Sequence, residues 1–255
     1  MAPRPSILLV HGGLTGAWIW DAWRAELGGL GWEVNVLDLR GHGRSLPVDM
    51  AMVTMDDYAA DVAAVAEQVA AARGAYPLVG GWAMGGLVAM LHAAAEPRTP
   101  GLLLFAPTPP LEVGGRAEPE VVRQTPSGPF GPEVYGLFPD DAAASKATLH
   151  DLTETEAAAV LEGVRGAEES GLARRQRKRG VSLAAGAVRC EALIVFGEAD
   201  REVTPEIYRR LAIYLGSDAL PVPEAGHWGI VCHAAAVASA ASGVDRWLRR
   251  NAAAG

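Results

Sequence analysis

The chain has 255 residues, half of them apolar, enough to bury one large core. Its formal charge of −8 argues against nucleic acid as a partner, since phosphate binding needs a concentrated basic face. Its two cysteines, Cys190 and Cys232, are not spaced as a metal knuckle or disulfide framework, so they read as buried thiols acting as small hydrophobes.

The first element is the apolar run Ile7 to Val10, which ends in His11-Gly12-Gly13. It is far shorter than the roughly 7–15 apolar residues of a signal h-region. No run approaches the about 20 residues of a membrane span, and a soluble, cytoplasmic protein is the expectation. A helix is predicted from about Ala17 to Leu30, then a strand from Val34 to Leu39 that ends in Arg40-Gly41-His42-Gly43-Arg44-Ser45. Strands alternating with helices imply parallel pairing in a doubly wound sheet. The next helix is capped by Thr54, carries Asp57 in its first turn, places Tyr58, Val62, Val65 and Val69 on one face, and ends near Arg73-Gly74.

Leu78-Val79-Gly80-Gly81-Trp82-Ala83-Met84-Gly85-Gly86 then reads as a strand, a glycine-bracketed turn and a helix start. This is the frame of the G-x-S-x-G nucleophile elbow, with alanine in the serine's place. The helix from about Met84 to Ala95 is apolar nearly all round and therefore buried. After the strand Leu102 to Phe105, prolines 107, 109 and 110 break the pattern, and residues 108–185 read as a helical insertion without a clear strand. Within it, the basic run 174–179 reads as a solvated helix face or C-terminal end. Ala192 to Phe196 resumes the sheet, followed by a helix from Pro205 to Leu215 and a last strand, Ala219 to Val222. Val237, Ala241, Val244 and Leu248 make the inner stripe of the closing helix.

Functional loops of an open parallel sheet gather at the carboxyl ends of its strands. Three candidates stand there: Ala83, Asp200 in Phe196-Gly197-Glu198-Ala199-Asp200, and His227 in Gly226-His227-Trp228. Their chain order, nucleophile position, acid, base, is that of the α/β hydrolases. With the His11-Gly12-Gly13 and Asp38 to Ser45 segments, these motifs give the chain a resemblance to that family along nearly its whole length. Within the family it looks most like the short esterases and hydroxynitrile lyases, in which Gly16-Ala17-Trp18 also has a counterpart.

The resemblance implies an α/β-hydrolase fold, a mostly parallel sheet with core segments 1–107 and 186–255 and a helical cap at 108–185. It implies a serine at position 83 that attacks an acyl carbon, His227 as its base and Asp200 as the group that orients the imidazole. The oxyanion donors are expected to be the backbone N–H groups of Met84 and of the His-Gly loop, where Gly13 is favoured over Leu14. Leu14, Trp18 and Trp228 flank these segments and are candidate pocket residues, with core packing an equal reading for the tryptophans. Glu198 and Glu202 read as solvated neighbours of Asp200. Ser45 belongs to a turn.

Alanine can neither attack nor be acylated. Either the chain is a deliberately disabled variant of a serine enzyme, or the alanine is natural and the protein binds a ligand or uses His227–Asp200 alone as a general base. Retention of a strained elbow favours the first. The expected substrate is a small to medium, largely apolar ester or lactone under an apolar roof from Leu111, Val113, Phe130, Tyr135, Leu137, Phe138, Leu149 and Leu152. No metal or organic cofactor is required. The alternatives are a C–C bond hydrolase and a small-molecule receptor. Hydroxynitrile cleavage fits less well, since it needs a cap lysine and only Lys146 and Lys178 are present, the latter in the basic run.

Overall fold

A computed structural model describes residues 5–252, so the outermost residues of the predicted core, 1–4 and 253–255, lie outside the described residues. Six strands form one sheet in the order β2-β1-β3-β4-β5-β6, every neighbouring pair parallel. They are β1 (Ile7–Val10), β2 (Val34–Leu37), β3 (Leu78–Trp82), β4 (Gly101–Phe105), β5 (Glu191–Gly197) and β6 (Asp218–Val222). The chain steps outward from β1 to β2, then returns to lay β3 against the other side of β1. This reversal opens a crevice at the carboxyl ends of β1 and β3, the place where such sheets bind ligands.

Helices cover the sheet, so β1, β3 and β4 are buried along their full length, whereas the edge strands β2 and β6 stay partly exposed. The first predicted helix divides into a 3-10 turn (Ala17–Trp20) and α1 (Asp21–Gly29). Helix α2 (Met55–Arg73) starts with a capping box between Thr54 and Asp57 and stops at Gly74, which is left-handed at φ 73°. Its innermost residues are Met55, Tyr58, Val62 and Ala66; Val65 and Val69 are half-buried at the edge of that face. Helix α3 (Met84–Ala95) is buried over almost its whole surface. Between β4 and β5 the chain forms α4 (Leu111–Gly114), α5 (Pro119–Gln124), a 3-10 turn (Pro132–Tyr135), α6 (Ala142–Ser145), α7 (Glu154–Gly163) and α8 (Gly171–Arg179). A single isolated bridge, Phe130 with Glu169, is its β-type pairing among the described residues. Helices α9 (Pro205–Leu215), α10 (Gly229–Cys232) and α11 (Ala234–Ala252) complete the chain, and α11 buries Val237, Ala241, Val244 and Leu248. Cys190 and Cys232 are unpaired and half-buried. Among the described residues no helix is long and apolar enough to cross a membrane.

Candidate active site

Ala83 connects β3 to α3 with φ 50° and ψ −119°, a conformation that costs a non-glycine residue about 1–3 kcal/mol. Its surroundings over-determine that geometry. Its N–H donates to the Phe105 carbonyl at 3.2 Å, and its carbonyl accepts from Thr108 N at 2.8 Å and Gly86 N at 3.1 Å. Strand and helix approach so closely that a Cβ on Gly81 would fall on the Gly85 carbonyl, and one on Gly85 would fall on the carbonyl oxygens of Val10 and His11. Met84 opens α3, so its N–H belongs to the first-turn donors that have no partner within the helix, at the end where the helix dipole favours negative charge.

The loop after β1 lies across the crevice from this turn. His11 pins it: its Nδ1 donates to the Gly12 carbonyl at 2.7 Å, and its Nε2 accepts from Leu39 N at 3.0 Å. Burial and the neighbouring His42 push its pKa down to about 3, which keeps the ring neutral and suited to this role. Leu14 is buried at φ 62° and lines the same cavity as Gly13, Ala83 and Met84. The Glu169 carboxylate sits where a side chain on Gly13 would go.

His227 and Asp200 come together from the loops after β6 and β5. Nδ1 of His227 donates to Asp200 Oδ2 at 2.9 Å, leaving Nε2 as the free nitrogen of the dyad. Asp200 also accepts from the Tyr208 hydroxyl at 2.6 Å and from the backbone N–H groups of Glu202 (2.8 Å) and Val203 (3.0 Å). Burial raises the Asp200 pKa, but the His227, Tyr208 and Val203 hydrogen bonds outweigh it and hold the pKa low. Trp82 Nε1 donates to the His227 carbonyl at 3.0 Å, which ties the histidine loop to the elbow strand.

Two acidic residues play parts here that the sequence reading did not give them. Glu202 is partly exposed, as a solvated neighbour would be, yet its Oε2 lies 3.8 Å from His227 Nε2 and its Oε1 accepts from Trp228 Nε1 at 3.2 Å. Burial disfavours the imidazolium, but Glu202, Asp200 and Asp151 outweigh it and push the His227 pKa up to about 9. Asp151 reaches in from the segment before α7, its Oδ2 accepting from both Gly226 N and Gly229 N at 2.6 Å. Glu198 remains an exposed partner of Arg209, and the Ser45 hydroxyl donates within its own turn.

A cavity of about 820 Å³ joins these groups. Gly13, Leu14, Ala83, Met84, His227 and Trp228 line it, whereas Trp18 lines a separate, smaller cavity with His42 and Glu168. Trp18 therefore falls outside this site, because it packs against Gly163 of α7. The apolar roof is also corrected. Of the eight residues expected to form it, Tyr135 and Leu137 line the cavity; Phe138 is exposed. The basic run is no solvated face: Arg174, Arg177 and Lys178 line the cavity because α8 turns that side inward. Arg177 is buried and ion-paired with the fully buried Glu169, which also accepts from the Tyr135 hydroxyl at 2.8 Å. Its Nη1 donates to Met84 Sδ at 2.8 Å, so α8 abuts the residue after the elbow.

Strand order, the strained turn at the switch point and the His–Asp pair after the last two strands define an α/β-hydrolase scaffold. The chain belongs to the alpha/beta hydrolase family, whose sequence profile matches residues 7–240. It is 28% identical to the pimeloyl-[acyl-carrier protein] methyl ester esterase of Stenotrophomonas maltophilia, over 92% of this chain and 91% of that protein. Among solved structures it resembles a thermophilic esterase from Thermogutta terrifontis, with a TM-score of 0.71 at 22% identity, covering 97% of this chain and 92% of the other. It likewise resembles a carboxylesterase of the thaumarchaeon Nitrososphaera gargenis, with a TM-score of 0.73 at 16% identity, covering 98% and 93%.

Proposed function

We propose that this is the acyl-transfer site of a carboxylic ester or lactone hydrolase, disabled by alanine in place of serine at position 83. The observation that carries the reading is the Ala83 backbone, held at φ 50° at the head of α3 although alanine has no oxygen to present there. With serine at this position, His227 Nε2 would take the hydroxyl proton as the oxygen attacks the acyl carbon, and Asp200 would stabilise the imidazolium formed. The N–H groups of Met84 and Gly13 would hold the developing oxyanion. Residues 108–185 act as the cap over the core. A small-molecule ester is the partner, and no cofactor enters. The esterase activity named for the Stenotrophomonas relative supports the reaction class.

Ala83→Ser tests the reading directly. The variant is expected to hydrolyse p-nitrophenyl esters and to be labelled by a fluorophosphonate, with a gain in kcat on the order of a million-fold over the alanine protein. Absence of both would sink it.

One observation favours a second reading, a small-molecule receptor with a natural alanine. The resting His227 is pushed up to about 9 and so is an imidazolium at neutral pH, a better anion partner than base. A receptor would bind its ligand and stay inactive after Ala83→Ser.

A further inference from the structure

The cavity lining is rich in cations, although the chain as a whole carries a formal charge of −8. Arg116, Arg174, Arg177, Lys178 and Arg201 line it, against the single carboxylate of Glu202. Arg177 is neutralised by Glu169. Arg116, Arg174, Lys178 and Arg201 have no ion pair among the described residues. Arg116 and Arg201 are exposed at the rim, whereas Arg174 and Lys178 are half-buried within.

Helix propensity does not explain this arrangement. The α8 dipole accounts for basic residues in the last turn, Arg177, Lys178 and Arg179, but Arg174 stands a turn earlier. Arg174 and Lys178 are four residues apart, on one face, where like charges repel by a few tenths of a kcal/mol or more once water is thinned. Arg174 is held by aromatic faces and not by a carboxylate among the described residues. Its guanidinium lies over the Tyr135 ring at 4.2 Å and the Phe130 ring at 5.2 Å, and its buried Nε has no hydrogen-bond partner. Burial and the two arginines outweigh the opposing charge of Glu202 and hold the Lys178 pKa below its ordinary value.

We propose that the cavity takes a carbonyl substrate bearing a second, anionic group, a carboxylate, which Arg174 and Lys178 hold while the carbonyl lies at position 83. The inference rests on the hydrolase site proposed above and deepens it by naming the substrate class. Arg174, Lys178 and Ala83 line the same cavity, so the two subsites are open to one small molecule. A bidentate guanidinium and an ammonium on adjacent turns suit a carboxylate terminus, and the low-dielectric wall strengthens both contacts. Arg116 and Arg201 at the rim would draw the anion in against the negative charge of the whole chain.

The alanine protein is suited to the test, since it cannot be acylated at position 83. Monomethyl adipate and dimethyl adipate are titrated into it by calorimetry at low salt. The monoester anion is expected to bind about tenfold or more tightly than the neutral diester. That ratio should fall towards one in Arg174→Gln and in Lys178→Gln, persist in Arg174→Lys, and persist in Arg179→Gln, which removes the same charge from an exposed position of the same helix. Raised ionic strength should weaken the monoester alone. Equal binding of the two esters, or binding of neither, overturns the inference. Ala83→Ser assayed on neutral p-nitrophenyl acetate separates the two readings: hydrolysis without an anion preference leaves the hydrolase site standing, and an anion preference without hydrolysis leaves the cationic wall standing.

Discussion

Glu202 Oε2 stands 3.8 Å from His227 Nε2, so the imidazole lies between two carboxylates, Asp200 on one nitrogen and Glu202 near the other. Asp200 fixes the tautomer that the proposed role of His227 as a base needs; Glu202 favours the charged ring, which opposes that role. The direct consequence is a titration. The His227 ring is expected to titrate near pH 9, and Glu202→Gln should bring the midpoint down towards the ordinary 6.5. Because the folded-state pKa is raised, this group's stability contribution is fully present below pH 6.5 and lost as pH rises through about 9. Stability should therefore decline over that window in the parent and decline less in Glu202→Gln. In an Ala83→Ser background the same substitution should shift the acidic limb of kcat/KM to lower pH. An NMR midpoint that ignores Glu202→Gln would refute the coupling.

The elbow predicts a reversal of the usual glycine penalty. Ala83 holds φ 50° with a Cβ, so Ala83→Gly should relieve strain and, after the greater freedom gained by the unfolded chain, stabilise the protein by about 1 kcal/mol. Gly85→Ala should do the opposite, by roughly 3 kcal/mol or more, since its Cβ would meet two backbone carbonyls of β1 and its following loop that side-chain motion cannot clear. Urea denaturation checks both. Destabilisation by Ala83→Gly would mean that the turn stores no strain.

The parts of the site that lie next to a strand end were legible in the sequence. Ala83, Asp200 and His227 each follow an apolar run at a position fixed by topology, and glycines 81 and 85 marked the tight turn between β3 and α3. What escaped was whatever depends on how the segment between β4 and β5 folds back. Asp151 is 75 residues from Gly226, and no periodicity links them. The basic run of α8 misled because the helix dipole already explains cations near its end, while the pattern Gly171-Leu172-Ala173-Arg174-Arg175-Gln176 does not say which side turns inward. Trp18 followed a motif but packs beneath α7. Tyr208 gave no signal, being one buried residue on an amphipathic helix whose hydroxyl happens to meet Asp200.

Asp151 is expected to hold the His227 loop in register. One oxygen accepts the N–H groups of Gly226 and Gly229, which bracket His227, so removing it orphans two donors at once. Asp151→Ala should cost about 2–4 kcal/mol in unfolding free energy. Asp151→Asn keeps an acceptor oxygen and should recover part of that loss while, having no charge, it lowers the His227 midpoint. Denaturation together with the His227 ring resonance separates the two effects. An alanine variant as stable as the parent, with its ring titration unmoved, would show that this loop needs no tie to the preceding helical segment.

The buried pair Glu169–Arg177 carries the strongest stability prediction. Glu169 is fully buried, with Arg177 and Tyr135 as its partners, and it packs against Gly13; Arg177 reaches Met84 on the other side of the crevice. Burial opposes the Arg177 charge, and Glu169 is the largest of the influences that offset it. Glu169→Gln leaves an uncompensated guanidinium, and Arg177→Met leaves an uncompensated carboxylate, so each should cost about 3–5 kcal/mol. The double variant removes both charges together and should cost clearly less than the sum, with a coupling on the order of 2 kcal/mol or more in a double-mutant cycle. Additive losses would mean that the two charges are each stabilised by something other than the other, and that the wall between α8 and the loop after β1 does not depend on their union.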